Sequence, residues 1–450
     1  MAPLATYLPE SQIITLKKDM GCFQDPDNLE GFPNPQSLSV FFHEWIHFLH
    51  NVSTTNGLVG FSQQIVLWSN FRWSVNEKGH CIGSMYRDDV ESENNLRIIR
   101  HLFSRVKSGK GSIPGYINPN DISLHSYKLK EGVITNGYWE VSSKIACNFM
   151  SQGAIFDIEI GVLEIIESVA YMLETRLVEK MDSMPLSSPI KPYQLVYILS
   201  KGISPKLKKD EIICAMLTAL QNNDPAAMLL VTLEKIKNRK RKKRQIILND
   251  IAIRNIMAFK DSISEQLNQI ESLFPVDEPM GKFIKLTIKR LKRNIKARIK
   301  KPFFELSIVE HTAKNPNYLN ECIRKYGGCV LISERHGDDN DVGRDVIYEF
   351  MLNEHKDDYS EGLQIARSSF HFLNAHLDYS TGGFINSASI TCNFKCPFFT
   401  TCEVELRKNM PDICANKPWL SIGAKQNLGC VYARAVRATA PPSDNLTYKL

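Results

Sequence analysis

The stretch FFHEWIHFLH at 41–50 constrains this chain more than any other feature. It is mostly apolar, yet it carries three of the chain's 11 histidines and a glutamate. Asn34-Pro35 stands upstream. An asparagine caps a helix well, and a proline suits the first helical position, where its missing N–H costs nothing. The sequence therefore predicts a helix that starts at Pro35, runs through QSLSVFFHEWIHFLHNV and stops near Asn56-Gly57.

His43, Glu44 and His47 form H-E-x-x-H within that helix. At about 100° per residue, positions i and i+4 lie about 40° apart and one turn apart along the axis. Two imidazoles can then grip one metal ion from one face. Glu44 is offset by about a quarter turn, which sets its carboxylate beside the ion, where it can take a proton from an activated water. Phe42, Trp45, Ile46, Phe48 and Leu49 occupy the other faces and can bury the helix in a core. His50 falls near the face of His43 but almost two turns away, so it is expected in the cleft rather than on the ion.

The third ligand is sought further along. A metzincin continues H-E-x-x-H-x-x-G-x-x-H, but His50 and Ser53 stand at the glycine and final histidine positions here. The better match is LEIIESVAYMLE at 163–174, within a run GAIFDIEIGVLEIIESVAYMLETRLVEKM (153–181) read as one helix. With this segment the chain resembles the gluzincin-type metallopeptidases, in which H-E-x-x-H is followed by a glutamate on a later helix. The resemblance covers about residues 34–180 and rests on these two helices. It implies His43, His47 and Glu167 as zinc ligands and Glu44 as general base. The small Ser168 and Ala170 beside Glu167 would let the helices approach closely. The gap from His47 to Glu167 is long and N-E-x-x-x-D is absent, so Glu164 and Glu174 stay open as alternative ligands. Glu164, Glu167, Tyr171 and Glu174 share one helix face. Tyr171 and His125 are the candidates for stabilising an oxyanion.

Four cysteines cluster near the other end: Cys392, Cys396, Cys402 and Cys414, spaced C-x3-C-x5-C-x11-C. Thiols packed this densely in a chain without secretory features read as ligands rather than disulfides. Cys396-Pro397 and the adjoining Phe398 and Phe399 suit a [4Fe-4S] cluster, while four thiolates also suit structural zinc; both stay open. Cys430 is near enough in sequence to replace one of the four.

Net charge is +6, and much of it is concentrated in KIKNRKRKKR (235–244) and KFIKLTIKRLKRNIKARIKK (282–301). The second stretch reads as an amphipathic helix with a basic outer face. A solvated surface is the plain reading. A patch for nucleic acid or another polyanion is the sharper one.

The composition, 43% hydrophobic and 23% charged, is that of a globular chain. No signal peptide and no transmembrane segment is read, so a cytoplasmic location is expected. The expected architecture is α+β and predominantly α-helical. It comprises a zincin-like domain (1–185), a basic helical region (190–301) and a Cys-liganded C-terminal region (302–450), with loops at 184–193 and 336–345 and a disordered tail at 438–450. The expected function is zinc-dependent hydrolysis of a protein or peptide. The alternative is a metal-stabilised protein that binds nucleic acid through its basic helices.

Overall fold

A computed structural model describes residues 4–9, 12–22, 31–83, 89–115, 117–135, 138–274, 279–336, 342–347, 356–399, 402–424 and 429–441. The chain opens with strands β1 (Ala5–Leu8) and β2 (Ile13–Leu16), then helices α1 (Pro35–Asn51), α2 (Thr55–Arg72) and α3 (Asp89–Val106). Five strands follow: β3 (Ser123–Lys130), β4 (Val133–Thr135), β5 (Tyr138–Val141), β6 (Lys144–Ser151) and β7 (Ala154–Ile160). The middle is helical: α4 (Val162–Lys180), α5 (Leu195–Ile203), α6 (Lys209–Ala219), α7 (Pro225–Ile236), α8 (Arg241–Ser272), α9 (Pro279–Lys300), α10 (Phe304–Lys314) and α11 (Tyr318–Tyr326). The hairpin β8 (Val330–His336) and β9 (Val342–Ile347) precedes α12 (Lys356–His376), two short helices α13 (Glu405–Asn409) and α14 (Pro411–Asn416), and α15 (Val431–Thr439). The protein is α+β and mainly α-helical.

Helix α1 begins where its residues dictate. The Asn34 side chain accepts from the Ser37 N–H at 2.8 Å, and the Ser37 hydroxyl closes the reciprocal bond to the Asn34 N–H at 3.3 Å. Such a cap stabilises a helix by about 1 kcal/mol. Phe42, Trp45, Ile46, Phe48 and Leu49 are all buried. Trp45 donates its indole N–H to the Gly327 carbonyl at 3.1 Å, so this large side chain leaves no polar group stranded in the core. The helix ends at Asn51, short of Asn56-Gly57. Those two residues lie instead in the first turn of α2, capped by the Thr54 hydroxyl on the Gly57 N–H at 3.1 Å. Gly57 is required there: a Cβ would stand 2.3 Å from the His50 carbonyl oxygen.

The run 153–181 is likewise two elements. Residues Ala154–Ile160 form β7, antiparallel to β6 in the register Ile145↔Ile160 to Ser151↔Ala154. Gly161 then caps α4. The alternation of AIFDIEI and the glycine break outweigh helical spacing.

The main sheet has the order β1-β2-β8-β9, and β2 runs parallel to β8 (Ile13↔Val330). Strands from the first and last of the three expected regions thus share one sheet. Helix α1 packs against β1, β2 and α4. A second sheet, β3-β6-β7, and the β4–β5 hairpin stand apart from it. Helix α12 packs on α9, α15 and α2. Val342–Ile347 pairs as a strand, so the expected loop at 336–345 narrows to residues 337–341, which lie outside the described residues. Of the expected disordered tail, Ala438 and Thr439 instead end α15, and 442–450 lie outside the described residues. Helix α9 buries Phe283, Ile284, Ile288, Leu291 and Ile295 and exposes Lys282, Lys285, Lys289, Arg293 and Lys296. Its charge is not all external: Arg298 is wholly buried and bonds Glu305 at 2.6 Å and the Ser53 hydroxyl at 2.6 Å. Arg244, in the first basic stretch, is buried against Glu211. Among the described residues no helix is long and apolar enough to cross a membrane.

Candidate metal centre

The seam between α1 and α4 holds the residues singled out by sequence. His43 Nε2 lies 3.3 Å from Glu167 Oε2, and His47 Nε2 lies 3.5 Å from the same oxygen. Among the described residues, His43, His47 and Glu167 are the one group of three such side chains whose ligand atoms come within 4.8 Å of one another. Zinc bonds of about 2.0–2.1 Å at tetrahedral angles separate neighbouring N and O ligands by about 3.3 Å. The two contacts to Glu167 match that spacing, and all three ligand atoms lie within 4.8 Å of one another, so the donor set can gather on one zinc ion.

The three glutamates on α4 have three different surroundings. Glu174 Oε2 lies 2.9 Å from His43 Nδ1, on the ring edge away from Glu167. It therefore accepts the Nδ1–H, leaving the Nε2 lone pair for a metal. Glu164 faces elsewhere. It is fully buried and accepts from the Ser108 hydroxyl at 2.7 Å, the Gly109 N–H at 2.8 Å and the Gly161 N–H at 2.8 Å. Of the alternatives left open by sequence, Glu164 closes a loop, Glu174 orients a histidine, and Glu167 alone joins the two imidazoles.

The charges are tightly coupled. Burial would push the His43 imidazole down, but hydrogen bonds to Glu167 and Glu174 and the charges of Glu174 and Glu44 override this and hold it well above the ordinary imidazole range. An ion would replace that proton. Glu167 sits well below the usual carboxylate range: burial opposes this, and the two histidines outweigh it. Glu44 is shifted the other way. Burial raises it, and Glu167 and Glu174 add to the rise while the histidines resist. A carboxylate raised toward neutrality is what proton transfer needs.

Glu44, His47, Glu167 and Tyr193 open onto a cavity of about 670 Å³. This is in the range of sites that enclose most of a small ligand. Strand β1 contributes Ala5–Leu8, and α12 contributes Arg367, His371 and Asn374 on its walls. His50 also lines it, but its Nε2 lies 3.5 Å from Glu305 Oε1 on α10 rather than in the metal group.

Sequence reasoning missed Tyr193. Its ring stands 5.9 Å from that of His43 and 5.6 Å from Tyr171. Burial and then the charges of Glu167, Glu44 and Glu174 push its hydroxyl up to about 12, so it remains a proton donor. Tyr171 is its ring neighbour, and His125 is exposed on β3. The only sequence signal for Tyr193 was its place at the end of the 184–193 connection.

The cysteines fall differently from their order in sequence. Cys396, Cys414 and Cys430 are buried, Cys402 is half-buried and Cys392 is exposed. Burial pushes the Cys396 thiol up to about 12, and the neighbouring Cys414, Cys430 and Cys402 add to the rise.

No family model, no curated protein and no solved structure matches this chain.

Proposed function

We propose that the protein is a zinc-dependent peptidase of the gluzincin type that hydrolyses peptide bonds in a protein or peptide substrate. The observation that carries this reading is the spacing of His43 Nε2, His47 Nε2 and Glu167 Oε2, with Glu44 beside them on the cavity. A zinc ion held by these residues supplies Lewis acidity and a water of lowered pKa. The chain's own residues supply the rest. Glu44 accepts the proton of the attacking water and returns it to the leaving nitrogen. Glu174 keeps His43 in the tautomer that faces the ion. Tyr193 donates its O–H to the carbonyl oxygen as charge builds there.

A peptide substrate is favoured by β1. It is an edge strand of the main sheet, and its four residues line the cavity. An extended chain can add to such an edge through backbone hydrogen bonds while its side chains enter the cavity.

The test is a peptide library derived from whole-cell protein, digested with zinc-loaded protein and read by mass spectrometry beside Glu44→Gln. The expected result is a restricted set of cleavages by the parent protein. Glu44→Gln should keep its zinc and cut nothing. If the two proteins give the same products, the hydrolytic reading fails.

A second reading rests on Arg239, Lys240, Arg241, Lys242 and Lys243, all exposed around the start of α8. They would engage nucleic acid or another polyanion. Anisotropy of a labelled oligonucleotide should then rise at low salt and fall with Lys240→Glu/Lys243→Glu. No response at low salt removes this reading.

A further inference from the structure

The cysteine-bearing segment after α12 has little regular structure of its own. Helices α13 and α14 span only 5 and 6 residues. Helices this short do not persist in isolation, so another interaction must hold the segment. The chain folds back on itself around the thiols. The Phe394 N–H donates to the Asn416 carbonyl at 2.7 Å, and the Cys396 N–H to the Cys414 carbonyl at 2.8 Å. Cys430 caps α15, its sulfur accepting from the Ala433 N–H at 3.4 Å. The chain's other six cysteines are buried singly in the core, which is ordinary behaviour for a small hydrophobe. Convergence of four is not.

We propose that Cys396, Cys402, Cys414 and Cys430 ligate an iron–sulfur cluster, and that Cys392 lies outside it. Three observations support a cluster over a single zinc ion. First, zinc–sulfur bonds of about 2.3 Å bring four thiolates to about 3.8 Å from one another. Among the described residues only the histidine–glutamate group closes to within 4.8 Å. No three of the thiols close to that spacing, as suits ligands bonded to different iron atoms. Second, two of the sulfurs meet backbone N–H groups. Cys430 sits at the N-terminus of α15, and the Phe398 N–H faces the Cys396 sulfur. Such N–H···S contacts and helix N-termini favour the negative charge of a thiolate-ligated cluster. Third, the surroundings are aromatic. Tyr432 is fully buried beside Cys396 and Cys430, and Arg407 stands 3.7 Å over the Phe399 ring.

This centre adjoins the cavity. Pro397, next to Cys396, lines it, and its carbonyl accepts from Arg367 at 3.0 Å. His371 lines it too and bonds the Tyr432 hydroxyl at 2.9 Å. The cluster therefore fixes the wall formed by α12. This inference does not depend on the peptidase reading.

The test is iron, acid-labile sulfide and zinc per chain, with electron paramagnetic resonance of the reduced protein, on anaerobically purified full-length chain. Cys392→Ser, Cys396→Ser and Cys430→Ser are compared with it. The parent protein is expected to hold about four irons and about four sulfides, as for a [4Fe–4S] centre. Cys392→Ser should keep them all, while Cys396→Ser and Cys430→Ser should lose most of both. Zinc at the thiols without sulfide would overturn the proposal. Loss of iron from Cys392→Ser with retention in Cys430→Ser would overturn the ligand set. If Cys430→Ser does not fold, the iron and sulfide of the parent and of Cys392→Ser still decide both points. His43→Ala/His47→Ala, which should lose zinc and keep iron, separates this centre from the other.

Discussion

Glu174 Oε2 sits 2.9 Å from His43 Nδ1, across the seam from a residue 131 positions earlier. This bond fixes which nitrogen of His43 faces Glu167. Removing an orienting carboxylate of this kind weakens metal binding about 10–100-fold. Glu174→Ala should therefore show a zinc affinity lower by that factor in competition with a chelator, with Glu174→Gln in between because its amide oxygen still accepts the Nδ1–H. Unchanged affinity in Glu174→Ala would remove the orienting role.

Glu164 lies ten residues before Glu174 on the same helix, but it tests differently. Its carboxylate answers three donors in a fully buried site. Truncation leaves those donors short of partners, at about 1–3 kcal/mol for each that stays unsatisfied. Glu164→Ala should lose about 3 kcal/mol or more of stability in urea unfolding, while its folded fraction binds zinc in full proportion. Glu167→Ala should do the reverse.

Tyr193→Phe removes one hydroxyl beside the seam and little volume. If that O–H stabilises developing charge, kcat should fall about 10²–10³-fold with KM nearly unchanged. Zinc content should not change. An equal rise in KM alone, with kcat unchanged, would place Tyr193 in substrate binding.

His376 sets a pH dependence. It is fully buried, with its Nδ1–H donating to the Phe372 carbonyl at 2.8 Å and the Ser387 hydroxyl donating to Nε2 at 2.8 Å. The neutral ring is thus satisfied at both nitrogens. Burial holds it down to about 4 against an ordinary 6.5. Between those values the unfolded chain takes up a proton that the folded chain refuses, so stability falls as pH drops from about 6.5 to about 4. The gap corresponds to about 3 kcal/mol. His376→Gln should flatten unfolding free energy against pH in that window. The slope that remains belongs to groups such as His101 and His371, which burial also holds down to about 4.

The parts of the site that were legible in sequence are those fixed by local rules. Asn34-Pro35 announces α1, and the apolar residues around His43 and His47 say which faces are buried. What could not be read is what stands opposite. Glu164, Glu167 and Glu174 form one stripe, and only the distant Ser108–Gly109 turn and His43 sort them into separate tasks. Tyr193 reaches its neighbours through a chain reversal that no spacing announces. Strand β7 was hidden for another reason: its apolar residues satisfy helical and alternating patterns alike, and pairing with β6 decides between them. The parallel pairing of β2 with β8 joins residues more than 300 positions apart and had no local signal at all.

The central claim is that His43, His47 and Glu167 hold zinc. Zinc K-edge X-ray absorption on the purified chain tests it most directly, because nitrogen and oxygen ligands lie at about 2.0–2.1 Å and sulfur at about 2.3 Å. About one zinc per chain with a nitrogen–oxygen shell is expected, with loss of that signal in His43→Ala/His47→Ala. A zinc shell made of sulfur, or zinc retained in full by the double variant, would contradict it.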